Sequence, residues 1–262
     1  MNRSTSRSIS RVWQTLYEYV ALYFGLTALA VLCLLWLPMA TVLHLVLPAQ
    51  QGGVLGRYAI MVGFRFYLRI LSLLGACRFD LSALDALRKQ GPVIIAPNHP
   101  CLLDAVMVIS RLPNVACIMK ASLLENIFLG AGARLARYIR NDTSVRMVNA
   151  AGAALRDGNH LLVFPEGTRT TRLPVNPFVG SIALIARRAN VPVQTVFIET
   201  NSAFLSKHWP LFRKPALPIS YSVRLGKRFE PTDNARSFTA SLEQYFAEEF
   251  RQRAPMPDIP MP

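Results

Sequence analysis

His99 and Asp104 stand five positions apart in the stretch Asn98-His99-Pro100-Cys101-Leu102-Leu103-Asp104, which follows the apolar run Val93-Ile94-Ile95-Ala96. A carboxylate at that spacing can hold one imidazole nitrogen, fix the tautomer and stabilise the imidazolium, leaving the other nitrogen as a general base. Such a dyad has no nucleophile of its own. With four histidines and seven aspartates in 262 residues, the spacing arises by chance in roughly one sequence in ten, so a second block is needed. Leu161-Leu162-Val163-Phe164 supplies one, running into Pro165-Glu166-Gly167-Thr168-Arg169. Gly167 permits close backbone approach, Thr168 offers a hydroxyl, and Arg169 presents a planar fork suited to a phosphate.

Together these two blocks resemble the glycerolipid acyltransferases of the lysophosphatidate type, Glu166 of Phe-Pro-Glu-Gly-Thr-Arg following Asp104 by 62 residues. Two further blocks agree. Arg140, in Tyr138-Ile139-Arg140-Asn141-Asp142, matches the arginine that ends the family's second block, and the apolar Val191–Ile198 matches its fourth. Lys120 falls where the family tends to carry a lysine. The resemblance covers residues 77–225 and departs from the family pattern twice. Cys101 stands where many members have serine, and Phe178-Val179-Gly180 where many have lysine with glycine.

The resemblance implies an α/β fold, glycerol-3-phosphate acyltransferase-like, with a mostly parallel sheet flanked by helices. It implies O-acyl transfer from acyl-CoA or acyl-carrier protein, as co-substrate and with no other cofactor and no metal, to a hydroxyl of a lysolipid such as lysophosphatidate. His99 and Asp104 are then the catalytic dyad, with Arg140, Lys120, Gly167, Thr168 and Arg169 on the substrate. Glu166 keeps two readings, a hydrogen bond to the acceptor's free hydroxyls or a partnership with an arginine that braces the loop. Two alternatives stay open: the same fold acting on a different amphiphilic acceptor, and a non-catalytic membrane protein that binds lipid or carrier. Cys101 next to His99 suggests a covalent route, but its apolar neighbours Leu102 and Leu103 favour a neutral thiol and a bystander's role.

Positioning these groups requires strands that end at the site. Val93–Ala96 and Leu161–Phe164 read as buried parallel strands, with Pro100 suiting a helix's first turn. Val115–Met119, Val191–Ile198 and Ile219–Leu225 read as further strands, and Ser144–Asp157, Ser181–Ala189 and Ser237–Arg251 as helices. The loop Ala203–Pro218 is rich in basic and aromatic residues.

Ahead of this domain, Ala21–Leu47 is 27 residues without a charge, longer than the roughly 20 that cross a hydrocarbon core. It reads as an uncleaved anchor, bent at Pro38 so that both arginine-flanked ends return to one face. Val54–Cys77 reads as an interfacial helix with Arg57, Arg65 and Arg69 near one side, the alternative being a core helix of the domain with a solvated arginine edge. The expected organisation is therefore anchoring helices over 1–77, an acyltransferase domain over 78–253 and a flexible tail over 254–262. A hydrophobic fraction of 52% and a net charge of +14 fit partners such as membrane lipids and anionic substrates. No nucleic-acid-binding motif is present, so no nucleic acid is expected as a partner. Cysteines 33, 77, 101 and 117 have neither disulfide nor zinc spacing. They suit a catalytic domain on the cytoplasmic side of the inner, cytoplasmic membrane. His160, His208, Glu125 and Glu199 have no partner at a functional spacing.

Overall fold

The computed structural model describes residues 3–141 and 144–253, with side chains from residue 11 and, after the gap, from residue 145. The expected tail, 254–262, lies outside the described residues. Two long helices come first, α1 (Arg3–Val46) and α2 (Ala49–Leu73). The α/β part follows as β1 (Cys77–Asp80), a 3₁₀ helix (Ser82–Lys89), β2 (Ile94–Pro97), α3 (Asp104–Arg111), β3 (Val115–Lys120), α4 (Ala121–Leu124), α5 (Gly130–Leu135) and β4 (Ile139–Asn141). It closes with α6 (Ser144–Arg156), β5 (His160–Leu162), α7 (Ser181–Ala189), β6 (Val193–Thr200), β7 (Ile219–Phe229) and α8 (Ala235–Gln252).

The strands form one sheet in the order β1-β7-β6-β2-β5-β3-β4. From β6 to β4 all neighbours are parallel, whereas β7 runs antiparallel to β6 and β1 lies parallel to β7. Alternation along β2 shows why the sheet must be covered on both sides. Ile95 enters a core shared with α1, α2 and α3, while Ile94 and Ala96 enter one shared with α6, α7 and α8. All four β2 residues are buried, as an unbroken apolar strand requires. Because β2 is central and parallel, its carboxyl end opens where such sheets place ligands.

The anchoring helices differ from expectation in two respects. α1 runs through Pro38 as a single helix, and the chain reverses instead at Leu47-Pro48, so that Tyr17 near the start of α1 donates its hydroxyl to Leu74 O just past α2, at 2.6 Å. The arginine edge of α2 is turned inward at two of three positions. Arg57 is buried and donates to Asn114 Oδ1 at 2.9 Å and Ala136 O at 3.2 Å, and Arg65 donates to Ser110 O at 3.1 Å. Only Arg69 is exposed. A buried guanidinium needs such acceptors, since desolvating it unpaired is costly. Ala21, Leu22, Tyr67, Leu68 and Leu71 belong to the same core as Ile95 and Cys101, so no separate core sets the helices apart from the α/β part.

Gly56 shows how tightly α2 sits on α5. A Cβ there would fall 2.7 Å from Ala136 N and 2.9 Å from Ala136 Cα and Leu135 C, all backbone atoms. Gly63, two turns on, has nothing within 4 Å. Gly56→Ala is expected to destabilise by about 1–3 kcal/mol through overpacking. Gly63→Ala is expected to be neutral or stabilising by up to about 1 kcal/mol through helix propensity. Thermal melts in detergent distinguish the two, and equal melting temperatures would contradict this packing.

Candidate active site

Asn98 creates the departure point for the turn that carries His99. Its Nδ2 donates to Ile198 O at 2.9 Å and its Oδ1 accepts from Ile198 N at 2.7 Å. The side chain thus takes over the backbone's pairing with β6, and the main chain is free to leave the sheet at His99. Pro100 cannot donate in the turn, and α3 begins only at Asp104 rather than near Pro100.

Asp104 is fully buried at the first position of α3, and His99 is 16% exposed. His99 Nδ1 lies 2.8 Å from Asp104 Oδ2. Cys101 N–H donates to the same oxygen at 2.8 Å and Cys101 Sγ to Oδ1 at 3.0 Å. Burial pushes the Asp104 carboxyl above the usual aspartate range, and the bonds from His99 and Cys101 pull against it. An Nδ1–H donated to this acceptor assigns the free lone pair to Nε2. Phe164, at the end of β5, stacks on the imidazole at 3.8 Å between centroids and 19° between planes, fixing the plane of the ring. Burial and the adjacent Asp104 carboxylate push the Cys101 thiol well above its ordinary value, which disfavours thiolate.

Glu166 is buried, and both its oxygens are engaged. Oε1 accepts from His99 N–H at 3.1 Å and from the Thr170 hydroxyl at 2.6 Å, and Oε2 accepts from Asn176 N–H at 2.9 Å. Burial raises this carboxyl while those donors oppose the rise. Thr170 N–H returns to His99 O at 2.7 Å. Of the two roles open in the sequence, the geometry provides a brace, though its partners are two backbone N–H groups and a hydroxyl rather than an arginine.

The loop after Glu166 turns at Gly167, whose φ of +66° favours glycine. Thr168 is half-buried, and its hydroxyl makes no hydrogen bond among the described residues. Arg169 Nη1 donates to Leu205 O at 2.9 Å and to Ser206 O at 2.7 Å, leaving Nε and Nη2 without a hydrogen bond among the described residues. Asn176 closes the loop, Oδ1 accepting from Thr171 N, Thr171 Oγ1 and Arg172 N while Nδ2 donates to Arg169 O.

The structure therefore gathers His99, Asp104, Glu166, Gly167, Thr168 and Arg169 at the carboxyl ends of β2 and β5. Lys120 and Arg140 stand apart, Lys120 exposed at the end of β3 and Arg140 exposed on β4 in an ion pair with Glu125 at 2.9 Å. With β5 and β3 between β2 and β4, Arg140 is about 14 Å across the sheet from β2 at strand spacing. Asn98, Phe164, Thr170 and Asn176 were missed from sequence, because their roles rest on partners up to 100 positions away. Asn98, adjacent to the histidine, and Phe164, inside Phe-Pro-Glu-Gly-Thr-Arg, carried a local signal.

A family model described as Acyltransferase matches residues 78–199. The human 1-acyl-sn-glycerol-3-phosphate acyltransferase beta is 25% identical over 212 residues, 78% of this chain and 72% of that protein. A putative 1-acyl-sn-glycerol-3-phosphate acyltransferase of Caenorhabditis elegans, acl-2, is 28% identical over 131 residues, 47% of this chain and 46% of that protein. The crystal structure of the 1-acyl-sn-glycerophosphate acyltransferase PlsC from Thermotoga maritima superposes with a TM-score of 0.64 at 17% identity, covering 94% of this chain and 97% of that one. At that identity the superposition speaks for the fold. The matched segment, just under half of the chain, holds both the His99–Asp104 pair and the Glu166–Arg169 loop.

Proposed function

We propose that the protein transfers a fatty acyl group from a thioester, acyl-CoA or acyl-carrier protein, to a hydroxyl of a lysophospholipid such as lysophosphatidate. The observation that carries the reading is the 2.8 Å contact between His99 Nδ1 and the buried Asp104 carboxylate, facing a loop whose arginine has a free edge. His99 Nε2 takes the acceptor's proton as its oxygen attacks the thioester carbonyl. The tetrahedral intermediate collapses with loss of the thiolate, which recovers that proton from the imidazolium. Thr168 and the free edge of Arg169 hold the acceptor's anionic head, and positioning supplies what general-base catalysis, worth about 10²–10⁴-fold, does not.

We further propose that α1 and α2 lie in the plane of one leaflet. α1 meets the catalytic domain at Glu18, paired with Lys214, and again at Ala40, packed with Ala131 and Leu135 of α5. Those contacts are about 33 Å apart along a helix rising 1.5 Å per residue, longer than a hydrocarbon core of about 30 Å. A perpendicular crossing would drag the domain into the bilayer. The opposite side of α1 exposes Phe24, Val31, Leu35, Val42 and Leu45, the one-sided apolar surface that an in-plane helix needs.

His99→Ala is expected to lower kcat by at least about 10²-fold with folding and membrane binding intact, and Asp104→Asn by the same factor or less. Assays of purified protein with lysophosphatidate and each donor type check this. Substantial activity in His99→Ala sinks the mechanism. Cys101→Ser should retain most activity, because a hydroxyl can still donate to Asp104. In the folded protein Cys101 should resist alkylation at pH 8, and mass spectrometry should find no acyl adduct on it when donor is given without acceptor. An adduct consumed on adding acceptor would establish a covalent route instead. Leu35→Asp combined with Leu45→Asp, at positions 71% and 78% exposed, should reduce flotation with anionic vesicles while leaving the melting temperature in detergent unchanged. Undiminished flotation would refute the in-plane seat.

A further inference from the structure

Glu18 is the sole acidic residue among the first 79. It sits on an apolar helix, yet it is only 3% exposed. A carboxylate so placed is unfavourable unless paired and hydrogen-bonded, and Glu18 is both. Lys214 forms an ion pair with Oε2, while Leu217 N–H, at 3.5 Å, and Gln14 Nε2, at 3.3 Å, donate to Oε1. Lys214 and Leu217 both belong to residues 203–218, the connection between β6 and β7.

That connection also reaches the catalytic turn. Its Leu205 and Ser206 carbonyls hold Arg169 Nη1, and Leu205 O accepts Leu102 N–H at 3.2 Å. Phe204 and Leu205 are buried in the same core as Ala21, Leu22, Cys101 and Leu103. One continuous path therefore runs from Glu18 through the 203–218 segment to the anion-binding arginine. An arginine side chain has many rotamers to lose. The two carbonyls hold one nitrogen and turn the opposite edge of the guanidinium outward, and their own position depends on where residues 203–218 are pinned.

We propose that Glu18 is a positioning residue for the acceptor: by pinning residues 203–218 to α1, it fixes the carbonyls that aim Arg169. The proposal rests on the acyltransferase reading above, with Arg169 on the acceptor's anionic head. It also makes the helix seated on the lipid the element that orders the acceptor site.

The test is steady-state kinetics of the full chain with lysophosphatidate as acceptor, on Glu18→Gln, Lys214→Met, the double variant and Arg169→Ala. Glu18→Gln and Lys214→Met should each raise the acceptor KM by about fivefold, the size of one weakened charge-assisted hydrogen bond. Donor KM and kcat should stay within about twofold of the unmodified protein. Because both variants break the same link, the double variant should match either single one rather than their product. Adding Glu18→Gln to Arg169→Ala should change nothing further. An unchanged acceptor KM in Glu18→Gln, or kcat and both KM values moving together, overturns the proposal. If Arg169→Ala itself leaves the acceptor KM unchanged, the fault lies in the assignment of Arg169 rather than of Glu18. Circular dichroism melts of each variant separate positioning from loss of fold, since a drop in melting temperature matching the loss of activity also counts against it.

Discussion

The buried carboxylate of Glu166 joins the two halves of the site. It accepts from His99 N–H at the end of β2, and from Thr170 and Asn176 in the loop that follows β5. A carboxylate can bind three donors at once in little space, because it offers about four lone-pair positions and no hydrogens to clash. A buried carboxylate with all its donors in place is rigid, and one with a donor missing is costly. The relative placement of His99 and the loop after β5 is thereby set by one buried side chain together with the main chain around it.

Much of this was legible in sequence, and its legibility follows contact distance. The His99–Asp104 pair spans five residues and one turn, so spacing suggests it and the Glu166–Arg169 block supports it. β2 and β5 are unbroken apolar runs because parallel strands are buried on both faces. α1's apolar length was equally plain. What escaped depends on partners far along the chain. Arg57 and Arg65 looked like an interfacial edge because periodicity shows which residues share a face, not what that face meets. Their acceptors lie at Asn114, Ala136 and Ser110. Pro38 looked like a bend because proline removes a helical hydrogen bond. The tertiary contacts of Trp36, Leu37, Ala40 and Leu43 with α5 hold the helix together on both sides of it.

The same distinction applies to Arg140 and Arg169. Residue type and motif nominate both as substrate-binding candidates, yet sequence says nothing of how far each stands from His99. Strand order does. Arg169 follows β5, the immediate neighbour of β2, whereas Arg140 lies on the edge strand β4. The two arginines cannot serve the same group of one small headgroup unless the acceptor lies along the carboxyl edge of the sheet.

On the proposed reading, the chemistry must also discriminate against water. A histidine base removes a proton from water as readily as from an alcohol, and a thioester is open to both, so His99 alone would favour hydrolysis by the more abundant reactant. What favours transfer is local concentration and exclusion of solvent. Cys101 and Leu103, in the turn that carries His99, belong to the same buried core as Ala21 and Leu22 of α1. The ring itself is covered by Phe164. Water therefore has a narrow approach from the apolar side, while a lipid anchored by its head at Thr168 and Arg169 brings its hydroxyl to a fixed place. Selectivity for acyl transfer over hydrolysis is then a property of the anion loop and the α1 packing more than of the dyad.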